Sequence, residues 1–134
     1  MALELFSGPN GAVLALAVVA VVLAAKHTLA DFVLQTEWMA RGKERAHGWE
    51  LPLAAHVGVH GLGMLLVALV FRPGLWWLAL ADVAIHAGVD RGKALASLRL
   101  RLPMSDPRFW WLLGFDQFLH HVTNAALGTL LIVL

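Results

Sequence analysis

HTLADFVLQ, residues His27 to Gln35, sets a histidine and an aspartate four positions apart before an apolar run that began at Gly11 has ended. That run is long enough to cross a bilayer, whose hydrocarbon core takes about 20 helical residues. Three more apolar stretches follow, so spans are expected at about Gly11–Leu34, Leu51–Phe71, Leu75–Leu95 and Phe109–Leu134. Together they use nearly all of the 134 residues, of which 60% are hydrophobic and only 14% charged. The expected fold is all-α: one integral membrane domain over residues 1–134, a transmembrane four-helix bundle running up-down-up-down.

Cleavage of the first run as a signal peptide is disfavoured, because a leader carries Lys or Arg ahead of its apolar core and only Glu4 is charged there. Cysteine is absent, which excludes disulfides and thiolate metal ligands. A net charge of +1 gives no reason to expect a nucleic-acid partner. The placement of charge is more informative. Eight of the ten basic residues border the first and third connections: Arg41, Lys43 and Arg45, then Arg91, Lys93, Arg99, Arg101 and Arg108. Short basic loops stay cytoplasmic, so both termini are expected on the outer side. Trp38, Trp49, Trp110 and Trp111 then mark the cytoplasmic interface, and Trp76 and Trp77 the outer one. Arg72-Pro73-Gly74 reads as a tight outer link, and Leu98–Pro107 as either an interfacial strip or a cationic loop.

Each expected span repeats the opening pattern. The pairs are His27/Asp31, His56/His60, His86/Asp90 and Asp116/His120. Residues four apart share a helix face, so each pair can chelate. Because the helices alternate in direction, a rise of about 1.5 Å per residue puts all eight side chains roughly 7–16 Å below the cytoplasmic interface. Asp31, His56, Asp90 and Asp116 form the shallower tier, and His27, His60, His86 and His120 the deeper one. One such pair alone is more often a helix-to-helix hydrogen bond than a metal site. Four at one depth favour a cation, with a proton relay or structural polar network as the competing reading. Five imidazoles and three carboxylates exceed the needs of one tetrahedral ion and suit two divalent ions of zinc, manganese or iron. Haem would leave the three aspartates without a purpose.

Gln35, Asp82, Gln117 and Asn124 stand beside the pairs and could orient the ligating imidazoles. Asp82 is also a candidate ligand, being well inside a span. Lys93 and Arg91 lie at the cytoplasmic mouth, where they would steady an anionic substrate, although a lysine there also snorkels to headgroups. Lys26 invites the same snorkelling reading from greater depth. His47, in a charged loop, and His121, about 100° around the helix from His120, are left out.

The ordered set H-x3-D-F-x2-Q (His27, Asp31, Phe32, Gln35), H-x3-H (His56, His60), H-x3-D (His86, Asp90) and D-Q-x2-H (Asp116, Gln117, His120) resembles the small bacterial membrane proteins grouped as domain of unknown function 3307. The resemblance runs from about Lys26 to Asn124. It implies a multi-pass protein of the bacterial inner membrane and no particular activity. A looser similarity runs to bacterial membrane-bound metal-dependent hydrolases.

The expected function is metal-dependent hydrolysis of a lipid or phosphoester reaching the site from the cytoplasmic leaflet. Asp31, Asp90 and Asp116 are the candidate bridging carboxylates and general bases. No serine or cysteine stands beside the histidines in the spans, which disfavours a covalent nucleophile. A divalent-metal transporter or sensor, and a metal-free structural membrane protein, are the alternatives. Membrane lipids are the expected partners. Gly61, Gly63 and Gly88 offer small faces for helix contact, including contact within a homodimer.

Overall fold

The computed structural model describes residue 6 and residues 8–134, so Glu4 lies outside the described residues. Every regular element among them is helical. Helix α1 (Gly11–Thr28) runs directly into a π-helical turn (Leu29–Val33); a short α2 (Glu37–Lys43) follows, then α3 (Glu50–Phe71), α4 (Leu78–Leu100) and α5 (Pro107–Val133). A 3-10 turn, Pro73–Leu75, joins α3 to α4.

Local chemistry sets most of these limits. Pro52 sits in the first turn of α3, where its missing amide costs nothing. Arg72, preceding Pro73, leaves the helical region at φ −152° and ψ 80°, as the proline ring demands of the residue before it. Asp106 caps α5 by accepting from the Arg108 amide at 2.9 Å, and Pro107 starts the first turn. The Arg108 side chain donates to the same carboxylate, which holds Asp106 below the usual carboxylate range.

Two connections differ from expectation. Helix α4 continues past Leu95 to Leu100 and ends where Arg101 turns left-handed at φ 48°, its amide bonded to the Ser97 carbonyl at 2.9 Å. Leu98 to Leu100 therefore belong to the end of α4, and the connection proper is confined to residues 101–106. The first connection holds α2, started by Thr36, whose hydroxyl accepts from the Met39 amide at 3.3 Å.

The long helices close a ring in which α1 packs on α3 and α5, and α4 packs on α3 and α5; α2 lies against α3. Gly42 permits that last contact, since a Cβ there would come within 2.4 Å of the Pro52 ring. Gly61 and Gly63 likewise serve contacts within the chain, meeting Val83 and Lys26, whereas a Cβ on Gly88 would meet nothing within 4 Å. Arg72 donates to the Leu134 carbonyl, which joins the C-terminal ends of α3 and α5.

One half of the ring is filled by Val19, Leu23, Met64, Ala68, Phe71, Leu78, Leu127 and Leu131. Met64 is fully buried there. Met64→Ala is expected to cost about 2–5 kcal/mol, from lost apolar contact plus the cavity left behind. Leu62→Ala, on the outer face of the same helix, should cost far less; thermal unfolding of both variants in detergent checks the contrast.

Two helices are long and apolar enough to cross a membrane, Gly11–Val33 and Glu50–Phe71. The other two long helices are less apolar on average because Asp82, His86 and Asp90 fall in α4 and Asp116, His120 and Asn124 in α5.

Candidate metal centre

The other half of the ring is polar inside. His27, His56, His60, His86, Asp90, Asp116 and His120 are all buried, and Asp31 is nearly so. Each pair projects inward because its members are one helical turn apart, and the ring brings the four faces together. His60 Nε2 lies 2.9 Å from Asp31 Oδ1, and His120 Nε2 lies 3.2 Å from Asp90 Oδ1. His56 sits between the two carboxylates, at 3.5 Å from Asp31 and 3.3 Å from Asp90. The His86 ring is sandwiched by His60 and His120, with centroids 3.8 and 3.9 Å away. All eight side chains picked out by spacing therefore meet in one cluster.

Two donor sets within it have their atoms mutually within 4.8 Å: Asp31, His56, His60 and His86, and His86, Asp90 and His120. His27 and Asp116 flank these sets. His27 Nε2 is 3.1 Å from Gln117 Oε1 and 3.4 Å from Asp31 Oδ2, while Asp116 Oδ1 lies 3.6 Å from His120. Asp31 belongs to the π-helical turn, closed by the Leu34 amide on the Leu29 carbonyl at 2.8 Å. Such turns carry an extra residue and often mark functional sites.

The donor set has the chemistry of a divalent cation site. Both ring nitrogens of His56, Nδ1 of His60, Nε2 of His86 and Oδ1 of Asp116 are buried without a hydrogen-bond partner. Each such group costs about 1–3 kcal/mol unless something satisfies it. Charge points the same way. Asp31, Asp90 and Asp116 face one internal ammonium, Lys43, whose Nζ is 2.7 Å from Asp90 Oδ2. With neutral imidazoles the cluster keeps two unbalanced negative charges, which one divalent cation would cancel.

The neighbouring residues separate into those the fold recruits and those it does not. Gln117 is recruited, donating to Asp31 Oδ2 and Asp116 Oδ2 at 3.3 Å each. Gln35 donates to the Asp31 backbone carbonyl at 2.9 Å. Asn124 is buried one turn beyond His120, with its amide nitrogen unpartnered. Asp82 does not serve His86: its Oδ2 accepts from Lys26 at 2.7 Å, and Lys26 is thereby held inside the bundle instead of snorkelling. Arg91 is not at the cluster. Its guanidinium stacks on Trp49 at 4.1 Å and donates to the Arg45 carbonyl. Lys93 stays at the mouth, bonded to Glu44 at 2.7 Å. Lys43, read from sequence as a loop cation, is the recruited lysine. His121 touches the His27 ring edge-on with centroids 5.3 Å apart, from an exposed position.

Beside the cluster lies a cavity of about 210 Å³, lined by all three carboxylates together with Gln35, Lys43 and Lys93. Residues 18–134 match the family described as protein of unknown function (DUF3307). The chain belongs to that family. Its membership covers all eight residues of the cluster as well as Lys26, Lys43 and Asp82. No curated protein and no solved structure matches the chain.

Proposed function

We propose that this is a membrane-embedded, divalent-metal-dependent hydrolase whose four long helices all span the bilayer. The outer surface supports the membrane placement. Val13, Val21, Leu66 and Val70 are exposed on α1 and α3, and Leu80, Ile85, Phe115, Phe118 and Val122 on α4 and α5. Meanwhile ten polar or charged residues among those described are buried. A water-soluble surface does not carry so much contiguous apolar area. Helices α4 and α5 have modest average hydropathy because their polar residues point inward, where lipid never meets them.

The observation that carries the hydrolytic reading is the juxtaposition of the donor sets with a cavity walled by Asp31, Asp90 and Asp116. The sharing of His86 between the sets, together with the charge balance, favours one ion per chain over the two expected from sequence. A cation held there would polarise a phosphoryl or carbonyl oxygen and lower the pKa of a nearby water. Asp116, which lines that cavity and belongs to neither donor set, is the carboxylate to take a proton from the attacking water. Water adds to the phosphorus or carbonyl carbon, the ester bond breaks, and the departing oxygen receives a proton. Lys43 and Lys93 line the same cavity, each already paired with a carboxylate, Asp90 and Glu44, so the charge that would balance an anionic group is the cation's.

Transport is the weaker reading. A route through one chain would have to cross the packed layer of Leu23, Met64, Leu78 and Leu131, all of them buried side chains.

Elemental analysis of purified protein together with hydrolysis of a chromogenic phosphodiester tests the proposal. About one divalent ion per chain and turnover lowered about 10²- to 10⁴-fold in Asp116→Asn, the range of general-base catalysis, are expected. Metal-free, well-folded wild type would remove the proposal; loaded protein with no turnover on phosphodiesters or carboxylic esters would leave metal binding and remove hydrolysis.

The orientation has its own test. Gly74 tolerates a side chain, since an added Cβ meets nothing within 4 Å. In intact cells Gly74→Cys should react with a membrane-impermeant maleimide and Gly48→Cys should not; the reverse pattern would invert the topology.

A further inference from the structure

Four consecutive residues at the end of α2 are clamped to the bundle. Gly42 lies against the Pro52 ring, Lys43 donates to Asp90, Glu44 accepts from Lys93, and the Arg45 carbonyl accepts from Arg91. A lysine head is ordinarily a mobile charge on a flexible four-carbon stem. Here it is fixed. Lys43 is 8% exposed, and its Nζ lies 2.7 Å from Asp90 Oδ2, beside the cavity that Asp31, Asp90 and Asp116 line.

The two donor sets differ in what they still lack. Asp90 supplies the only carboxylate of its set, and both of its oxygens are engaged, Oδ1 with His120 at 3.2 Å and Oδ2 with the ammonium. Asp31 supplies the only carboxylate of the other set. Its ion-pair contacts among the described residues are with histidines alone, His27, His56 and His60. A divalent ion drawn to Asp90 would meet the ammonium, like charge on like; one drawn to Asp31 would not. The Asp31 set also offers four donors against three, the number that a tetrahedral ion takes. It includes His56, fully buried with neither ring nitrogen partnered.

We propose that the cluster is built for two cations, of which one is the ammonium of Lys43. The divalent ion is held by Asp31, His56, His60 and His86. The ammonium takes the second place, on Asp90, and limits the chain to one ion. The charges of Asp31, Asp90 and Asp116 then balance one divalent ion and one ammonium, as burial requires. His120 is a positioning residue that holds Asp90 Oδ1. Lys43 thereby decides ion number, because removing its head leaves Asp90 and His120 open to a second ion at the edge of the carboxylate-lined cavity. The inference rests on the metal reading above and assigns the ion to one of the two donor sets.

Ion counting on the full chain in detergent tests this, by titration with zinc and separately with manganese, which carboxylate oxygens suit. Wild type and Lys43→Arg should each hold about one ion and Lys43→Met about two. His60→Ala should weaken zinc binding at least about tenfold more than His120→Ala, since only the first removes a ligand. Two ions on wild type would overturn the inference and leave the metal reading standing. One ion on a folded Lys43→Met would do the same, a proton having replaced the ammonium. Equal weakening by His60→Ala and His120→Ala would overturn it too, and that contrast decides if Lys43→Met does not fold. Wild type and Lys43→Met both free of metal would remove the inference together with the metal reading.

Discussion

Purified His86→Ala protein is expected to lose divalent-metal affinity by at least about 100-fold, the upper end of what disturbing a ligand's supporting partner costs. No other side chain in the cluster belongs to both donor sets. Its ring also lies close to those of His60 and His120, tilted against the first and stacked on the second. Truncation therefore removes a donor from either arrangement and leaves a space into which both neighbours can lean. His121→Ala is the matched control, being an exposed histidine next to the cluster. Metal titration by calorimetry would show the loss in the first variant and none in the second. Wild-type affinity in His86→Ala would mean that the cation, if one binds, sits elsewhere.

The second large effect concerns the ion pair beyond the cluster. Lys26→Met is expected to destabilise the protein by about 3–5 kcal/mol, the cost of leaving a buried charge without its partner. Asp82 is 2% exposed, and its carboxylate accepts from Lys26 at 2.7 Å. The lysine stem is fitted closely as well, because a Cβ on Gly63 would come within 2.8 Å of Lys26 Cγ. Replacing both partners, as Lys26→Met with Asp82→Leu, should recover most of the loss, since a buried ion pair exchanged for apolar side chains is often neutral. Unfolding in mixed micelles would compare the three proteins. A single variant as stable as wild type would show that water reaches Asp82.

The cluster was legible in the sequence because its signal is local. Spacing of four fixes a shared helix face whatever the rest of the chain does, and alternation of helix direction fixes the level at which four such faces meet. His27, His56, His60, His86 and His120 were found this way, as were the three aspartates. What spacing could not show depends on distant parts of the chain. Lys43 reaches Asp90 across 47 positions, and only the docking of α2 on α3 through Gly42 brings it there. Lys26 and Asp82 are 56 positions apart, and each taken alone suggests a different neighbour. Arg91 was misplaced for a related reason: one position from Asp90 on a helix is a rotation of about 100°, enough to turn its side chain from the cluster to Trp49. The sharing of His86 between the two donor sets also escaped the sequence, because counting donors does not reveal which of them lie together.

The π-helical turn at Leu29–Val33 makes the geometry sensitive to length as well as to composition. Deleting a single residue after Asp31, such as Val33, would let the chain wind on as a regular α-helix. Everything beyond would then leave the bundle about 100° further round. Gln35, α2 and the ammonium of Lys43 would swing away from Asp90 while every residue that contacts the cluster was still present. One surplus peptide unit thus acts as a spacer for this whole end of the bundle, and shortening it would disable the site without removing any of its chemistry.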